Sequence, residues 1–224
     1  MGEMNGGNPH QLKGATYDSA LRKAWRELEA RGLDQIPKEV KRGEGGYLVP
    51  MFGEDHFVQV GDRRVTMRGE EDHPFIKVLI LHYLLGCGRS STTGRLITFR
   101  EVPGGEMYYP AFKRRAIDTL VRVFGHDPPL LLKAGEQIGA ERGEIGSASV
   151  VVKVFPGVLV TAVIWEGDEE VPSSGNILFD SSIVNVLPME DVSIVGNLVS
   201  SRLRKAATRT TSGIDRHPEV TTRG

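Results

Sequence analysis

Apolar residues recur along this chain with two different periods, and the alternation between them divides it into segments. From Asp18 to Arg31, Ala20, Leu21, Ala24, Trp25 and Leu28 fall three and four residues apart and Gly32 follows as a stop, which predicts an amphipathic helix. Tyr47–Phe52, Phe57–Val60 and Val65–Met67 are short runs separated by Gly53-Glu54-Asp55 and Gly61-Asp62. That is the pattern of antiparallel strands joined by turns, a small meander. Beyond the charged Gly69–Asp72 turn, Asp72 is placed to cap a helix and Pro74 to occupy its first turn. This helix should run to Leu85 and stop at Gly86, with Phe75, Val78, Leu79, His82 and Leu85 as its buried stripe.

Leu96–Phe99 predicts a short strand, and a loop, Val102–Tyr109, leads from it to Pro110. From there Phe112, Ala116, Ile117, Leu120, Val121 and Phe124 predict a helix ending at Gly125. Pro128 and Pro129 open a shorter helix through about Ile138, and the Gly- and Glu-rich residues 139–146 follow as an exposed loop. Ser149–Phe155 and Val158–Trp165 are rich in Val and flank Pro156-Gly157, so they pair as a hairpin near the middle of a sheet, and Ile177–Phe179 adds a strand. Pro188 starts a last helix through about Ala207, with Val192, Val195, Leu198, Val199 and Leu203 facing the core. Glu190 and Asp191 favour its positive end, and Arg202, Arg204 and Lys205 suit the other. The expectation is a single α+β domain over residues 18–207, an antiparallel sheet covered by three or four helices. It lies between a flexible N-terminus, residues 1–17, and a disordered basic tail, residues 208–224, which has almost no apolar residues.

Composition narrows the function only by exclusion. With 224 residues, 25% charged and 39% hydrophobic, the chain is an ordinary globular protein, and a collagen, a coiled coil or a disulfide miniprotein is ruled out. The net charge of -1 is unevenly spread, since residues 202–224 carry six Lys/Arg against two Asp/Glu and so leave the preceding body acidic. Cys87 is the only cysteine, which excludes an intramolecular disulfide and a cysteine-ligated cluster held within this chain. It fits a reducing, cytoplasmic setting. The richest apolar stretch, Val150–Trp165, is broken by Lys153, Pro156 and Gly157, so no membrane span is expected. The start, MGEMNGGNPHQLK, reads as no signal peptide, and Gly6 stands where a myristoylation signal needs Ser or Thr.

Strong chemical signatures are missing: there is no Gly-rich dinucleotide fingerprint, Walker lysine loop, HExxH helix, nucleophile elbow or paired CxxC. Four weaker features remain. Cys87 follows a helix C-terminus, whose carbonyls disfavour a thiolate, so it reads as a small buried residue rather than a nucleophile. His82 lies on an apolar stripe with no second ligand spaced to join it, and a hydrogen-bonded core histidine is the favoured reading. Glu166, Asp168, Glu169 and Glu170 would suit a hard cation, but they lack the alternating spacing of a calcium loop, which favours a solvated acidic turn. In REVPGGEMYYPAFKRR, Arg100 to Arg115, Gly104 and Gly105 precede two aromatics, Tyr108 and Tyr109, and then Lys113, Arg114 and Arg115 crowd into the early turns of the expected helix. Cations are disfavoured at that end, so something negative should compensate. The choices are Glu101, Glu106, the 166–170 run with Asp168, or a bound anion, an internal ion pair being the favoured one.

The blocks LILHYLLGCG, GRLITFREVPGGEMYYPAFKRRAIDTLVRVFG and VLVTAVIWEGDEEVPSSGNILFDSSIVNVLPMEDVSIVGNLV resemble an uncharacterised domain family of anaerobic bacteria and archaea, over roughly Tyr47 to Leu203. Some members of that family carry a small cysteine-rich iron-sulfur module like that of corrinoid iron-sulfur proteins of one-carbon metabolism. This chain departs from that arrangement, since Cys87 alone cannot hold a cluster, and the resemblance implies that a partner would supply one. It implies a context, with no reaction, cofactor or site. Two functions therefore compete. The favoured one is a non-catalytic binding or accessory protein of anaerobic metabolism, linked to corrinoid or iron-sulfur one-carbon enzymes. The alternative is a small enzyme or ligand-binding domain that takes an anionic small molecule through Arg100, Gly104, Gly105, Tyr108, Tyr109, Lys113, Arg114 and Asp168. Nucleic acid is not expected as a partner, because only the tail is basic and it lacks interleaved aromatics.

Overall fold

Two-residue turns set the register of the first sheet. Phe52 and Gly53 take φ of 52° and 77°, and Arg68 and Gly69 take 52° and 86°, the backbone that matches the twist of the flanking strands. The first turn joins β2 (Gly46–Met51) to β3 (Glu54–Gln59) with Met51 opposite Glu54, and the second joins β4 (Arg64–Met67) to β5 (Glu70–Glu71) with Met67 opposite Glu70. With β1 (Lys41–Gly43) on the far edge, the five strands pair antiparallel in chain order. The expected meander is present and gains two edge strands. Every residue of β1 and β5 is exposed, so neither has the apolar alternation that would announce it.

The computed structural model describes residues 9–31, 36–89 and 91–214, the side chains of 9–16 and 210–214 excepted. Helix α1 (Pro9–Arg31) buries Ala24, Trp25 and Leu28 and packs on α2 (Pro74–Gly86). It begins well before the expected Asp18. Elongating a helix adds one hydrogen bond for each residue fixed and needs no apolar stripe, which is why this extension left no period to read. Residues 1–8 of the expected flexible N-terminus lie outside the described residues. On α2 the one-sided stripe is a correction: Val78–Leu81 and Tyr83–Leu85 are all buried, as in a helix apolar on every side, while His82 is only half-buried. Asp72 does not cap this helix either. Its carboxylate accepts instead from His56 Nδ1 at 2.8 Å, and His73 takes the cap position without a side-chain bond. The Arg31 side chain donates to the Leu85 carbonyl at the other end. Tyr83 stacks on Phe155 at 4.3 Å and donates its hydroxyl to the Pro156 carbonyl at 2.9 Å. One compact unit comprises these elements up to Thr92, together with Phe155–Gly157 and Ser182–Pro188, the last holding α6 (Ile183–Val186) against α2.

The second unit, Thr93–Val154, Val158–Ser181 and the chain from Met189, has its own sheet in the order β6-β10-β9-β8-β7. Its strands are β6 (Leu96–Thr98), β7 (Glu141–Arg142), β8 (Ala148–Phe155), β9 (Val158–Trp165) and β10 (Ser174–Asp180). The Val-rich hairpin is therefore central, as its composition demands. Residues 139–146, expected as an exposed loop, supply the edge strand β7, which is exposed along its length. Helices α4 (Asp118–Phe124) and α7 (Met189–Ile214) lie against β9 and β10, and α5 (Pro128–Gln137) lies against α7. Phe99, Phe112 and Phe179 meet in the core between them, with Phe99 and Phe112 stacked at 4.2 Å. Helix α7 continues two turns past the expected Ala207, so Thr208–Ile214 of the supposed tail is helical. Residues 215–224 lie outside the described residues. The chain is thus α+β, with antiparallel pairing in both sheets. Among the described residues no helix is long and apolar enough to cross a membrane.

Candidate functional site

The segment from Arg100 to Arg115 folds differently from its expected loop and helix, and the difference decides what it can do. Thr98 and Glu101 form a reciprocal cap around the short turn Phe99–Glu101, with Thr98 N–H donating to Glu101 Oε2 at 2.7 Å. Those bonds hold the Glu101 carboxyl below the usual glutamate range. Gly104, at φ 81°, caps α3 (Gly105–Phe112), so Tyr108 and Tyr109 belong to the helix and Pro110 lies inside it. The helix then widens into a π-turn, Lys113–Ile117, before α4 resumes. Lys113 and Arg114 are therefore a helix length from the N-terminal N–H groups, and the repulsion expected there does not arise. Gly105 is tight for a different reason from ligand approach: a Cβ on it would run into the Phe99 carbonyl.

Each cation of the segment that is paired finds its partner close by. Arg100 lies 3.6 Å from Glu106 and 4.0 Å above the Tyr109 ring, and Lys113 pairs with Asp118. Asp168 is occupied by its own turn, where Oδ1 accepts from Glu170 N–H at 2.9 Å and Val171 N–H at 2.8 Å, and those bonds lower its carboxyl. Arg100, on the short turn Phe99–Glu101, meets Glu106 and the half-buried Tyr109 of α3, while Tyr108 is exposed on the same helix and Asp168 bonds elsewhere. Met107 and Tyr108 stand out on this face at 87% and 53% exposure. Among the described residues no group of three His, Cys, Asp or Glu side chains is gathered to hold a metal ion.

Concave surface occurs in other places. In the first unit a cleft of about 470 Å³ is lined by Glu39, Tyr83, Cys87, Thr92, Pro156 and Val186 among others. Burial pushes the Cys87 thiol up to about 11, and it also raises the Tyr83 hydroxyl. In the second unit a cleft of about 350 Å³ lies between the end of α5 and the middle of α7. Gln137, Ile138, Leu198, Ser201, Arg202, Lys205, Ala206 and Arg209 line it, and none of these is acidic. Arg202 and Lys205, expected at a helix terminus, instead form part of this wall. Their spacing with Arg209, three and four residues apart, is the signal that a longer helix would have exposed.

A family model described as a domain of unknown function, DUF3786, matches residues 37–202, well over half of the chain. The chain belongs to the DUF3786 family. The DUF3786 match takes in both sheets from β1 to β10, whereas α1 and the last turns of α7, with Lys205 and Arg209, lie outside it. No curated protein and no solved structure matches the chain.

Proposed function

We propose that this DUF3786 protein is a non-catalytic accessory protein that docks on a protein partner through α3. The observation that carries this reading is the form of the Arg100–Arg115 segment. Its paired charges are met within it or by Asp118 just beyond it, and it presents Met107 and Tyr108 to solvent. A methionine and a tyrosine beside an arginine are side chains enriched where proteins meet. The ionisable groups favour binding over catalysis. The carboxyls of Glu29, Glu71, Glu101 and Asp168 are lowered by structural partners, and the Tyr83 and Cys87 groups are raised by burial. Those shifts move each group away from neutral pH, opposite to what a general acid, base or nucleophile needs.

The setting comes from the sequence resemblance: anaerobic metabolism, with a corrinoid or iron-sulfur one-carbon enzyme as the partner and the cluster carried by that partner. Sedimentation velocity of the full chain mixed with a purified corrinoid iron-sulfur protein tests it. A stoichiometric complex is expected, together with its loss in a Met107→Ala, Tyr108→Ala variant whose melting temperature matches the parent. Absence of a complex with the parent refutes the partner, and undiminished binding by the variant refutes the face.

A further inference from the structure

The α5/α7 cleft goes beyond that reading, because it lies on other elements and holds a different chemistry. Arg202, Lys205 and Arg209 follow one another at intervals of three and four along α7, so they share one side of the helix. Like charges at that spacing repel. The ordinary account of a basic run late in a helix is the favourable field of its last turn, but α7 extends to Ile214 and its last turn contains no basic residue. No acidic side chain lines the cleft, and among the described residues neither Lys205 nor Arg209 has an ion-pair partner. The opposite wall adds no bare carbonyls from Gly135 and Glu136, since Ala140 N–H and Gly139 N–H close onto them at 2.9 and 3.1 Å. It presents the Gln137 amide instead, and Ser201 adds a hydroxyl.

We infer that this cleft binds a small organic phosphate. Cations on one helix side suit the two negative charges and several acceptor oxygens of a phosphate monoester, with arginine supplying paired N–H donors. Leu198, Ile138 and Ala206 give the same cleft an apolar floor for the organic part. A volume of about 350 Å³ falls within the size range of small-molecule clefts and is too confined for a stretch of duplex nucleic acid.

Isothermal calorimetry on the full chain tests this with pyrophosphate and ribose 5-phosphate as probes, and with ribose as the uncharged counterpart. Saturable binding of both phosphates and none of ribose is expected. Lys205→Gln with Arg209→Gln, at two exposed positions, should weaken it by roughly tenfold or more with an unchanged melting temperature. Arg100→Gln, on the turn before α3, should bind as the parent does. Absence of saturable binding by the parent overturns the inference, and so does equal binding by the Lys205→Gln, Arg209→Gln variant. Binding of a single-stranded oligonucleotide without binding of either small phosphate would also overturn it, in favour of a nucleic-acid surface. Because the α3 face is untouched by the α7 substitutions, loss of phosphate binding and loss of partner docking are separable.

Discussion

Cys87 is the residue where chemistry and environment disagree most sharply. Its sulfur lies 3.2 Å from the Leu84 carbonyl oxygen, and burial outweighs the nearby positive charge of Arg31 to lift the thiol from 9.0 to about 11. A group raised in this way favours the folded state fully below its unfolded value, and that contribution fades as pH rises through the folded value. Stability should therefore hold to about pH 9 and decline above it, by on the order of 2 kcal/mol from this residue. The buried Tyr83 hydroxyl, raised by the same cause, acts in the same direction. Two measurements check this: melting temperature across pH 7–11 in parent and Cys87→Ser protein, where the variant should lose part of the alkaline decline, and thiol labelling at neutral pH, which should be slow until denaturant is added. Rapid labelling of the folded protein would contradict the burial that produces the shift.

At the scale of elements, Gly105 separates scaffold from site. It lies against the Phe99 carbonyl, and its own N–H donates to the Val102 carbonyl at 2.7 Å. Gly105→Ala should lower stability by about 1–3 kcal/mol, visible in urea denaturation, whereas Tyr108→Ala should leave stability within about 0.5 kcal/mol. The central hairpin, the C-terminal end of α4 and the meander were legible in the chain because Val-rich runs, Gly125 and paired turn residues carry local signals. The start of α3 was not, because Pro110 reads as an opening residue and here sits inside a helix capped six residues earlier by Gly104. Nor was the cleft on α7. Seeing it requires knowing that α5 returns to lie beside that helix, which no local pattern encodes.

For the whole molecule, the two compact units differ in how their cores are closed, and α1 is the element on which the first depends. Trp25 and Leu28 are buried on it, and its Arg31 closes the carbonyl end of α2. Trp25→Ala should cost about 3–5 kcal/mol. A chain beginning at Tyr17 keeps every buried side chain described on α1 and should melt as the parent does, while one beginning at Ile36 should lose the cooperative transition of this unit. Calorimetry of the two truncations distinguishes them. If the shorter chain melts unchanged, α1 is an appendage rather than part of the core. The DUF3786 match itself begins after this helix, so a domain cut at the match boundary would omit it.

The π-turn at Lys113–Ile117 also has a consequence for chain length. Such a turn is an α-helix carrying one residue more than its geometry needs, and here Asp118 N–H reaches back five residues to the Lys113 carbonyl. Phe112 before it and Ala116 within it are both buried, and Ser200 on α7 donates to the Ala116 carbonyl at 2.9 Å. Arg114 is exposed between them. Deleting Arg114 alone should let the helix close into regular α-form with both buried faces still on the core, and Lys113 would then sit four residues from Asp118, still within pairing reach. The same deletion in α4 would swing every later side chain of that helix by about 100° and unseat Phe124. A shortened chain that melts within a few degrees of its parent when the loss falls at 114, and fails to fold when it falls at 122, would show that a single surplus residue is stored at this one place.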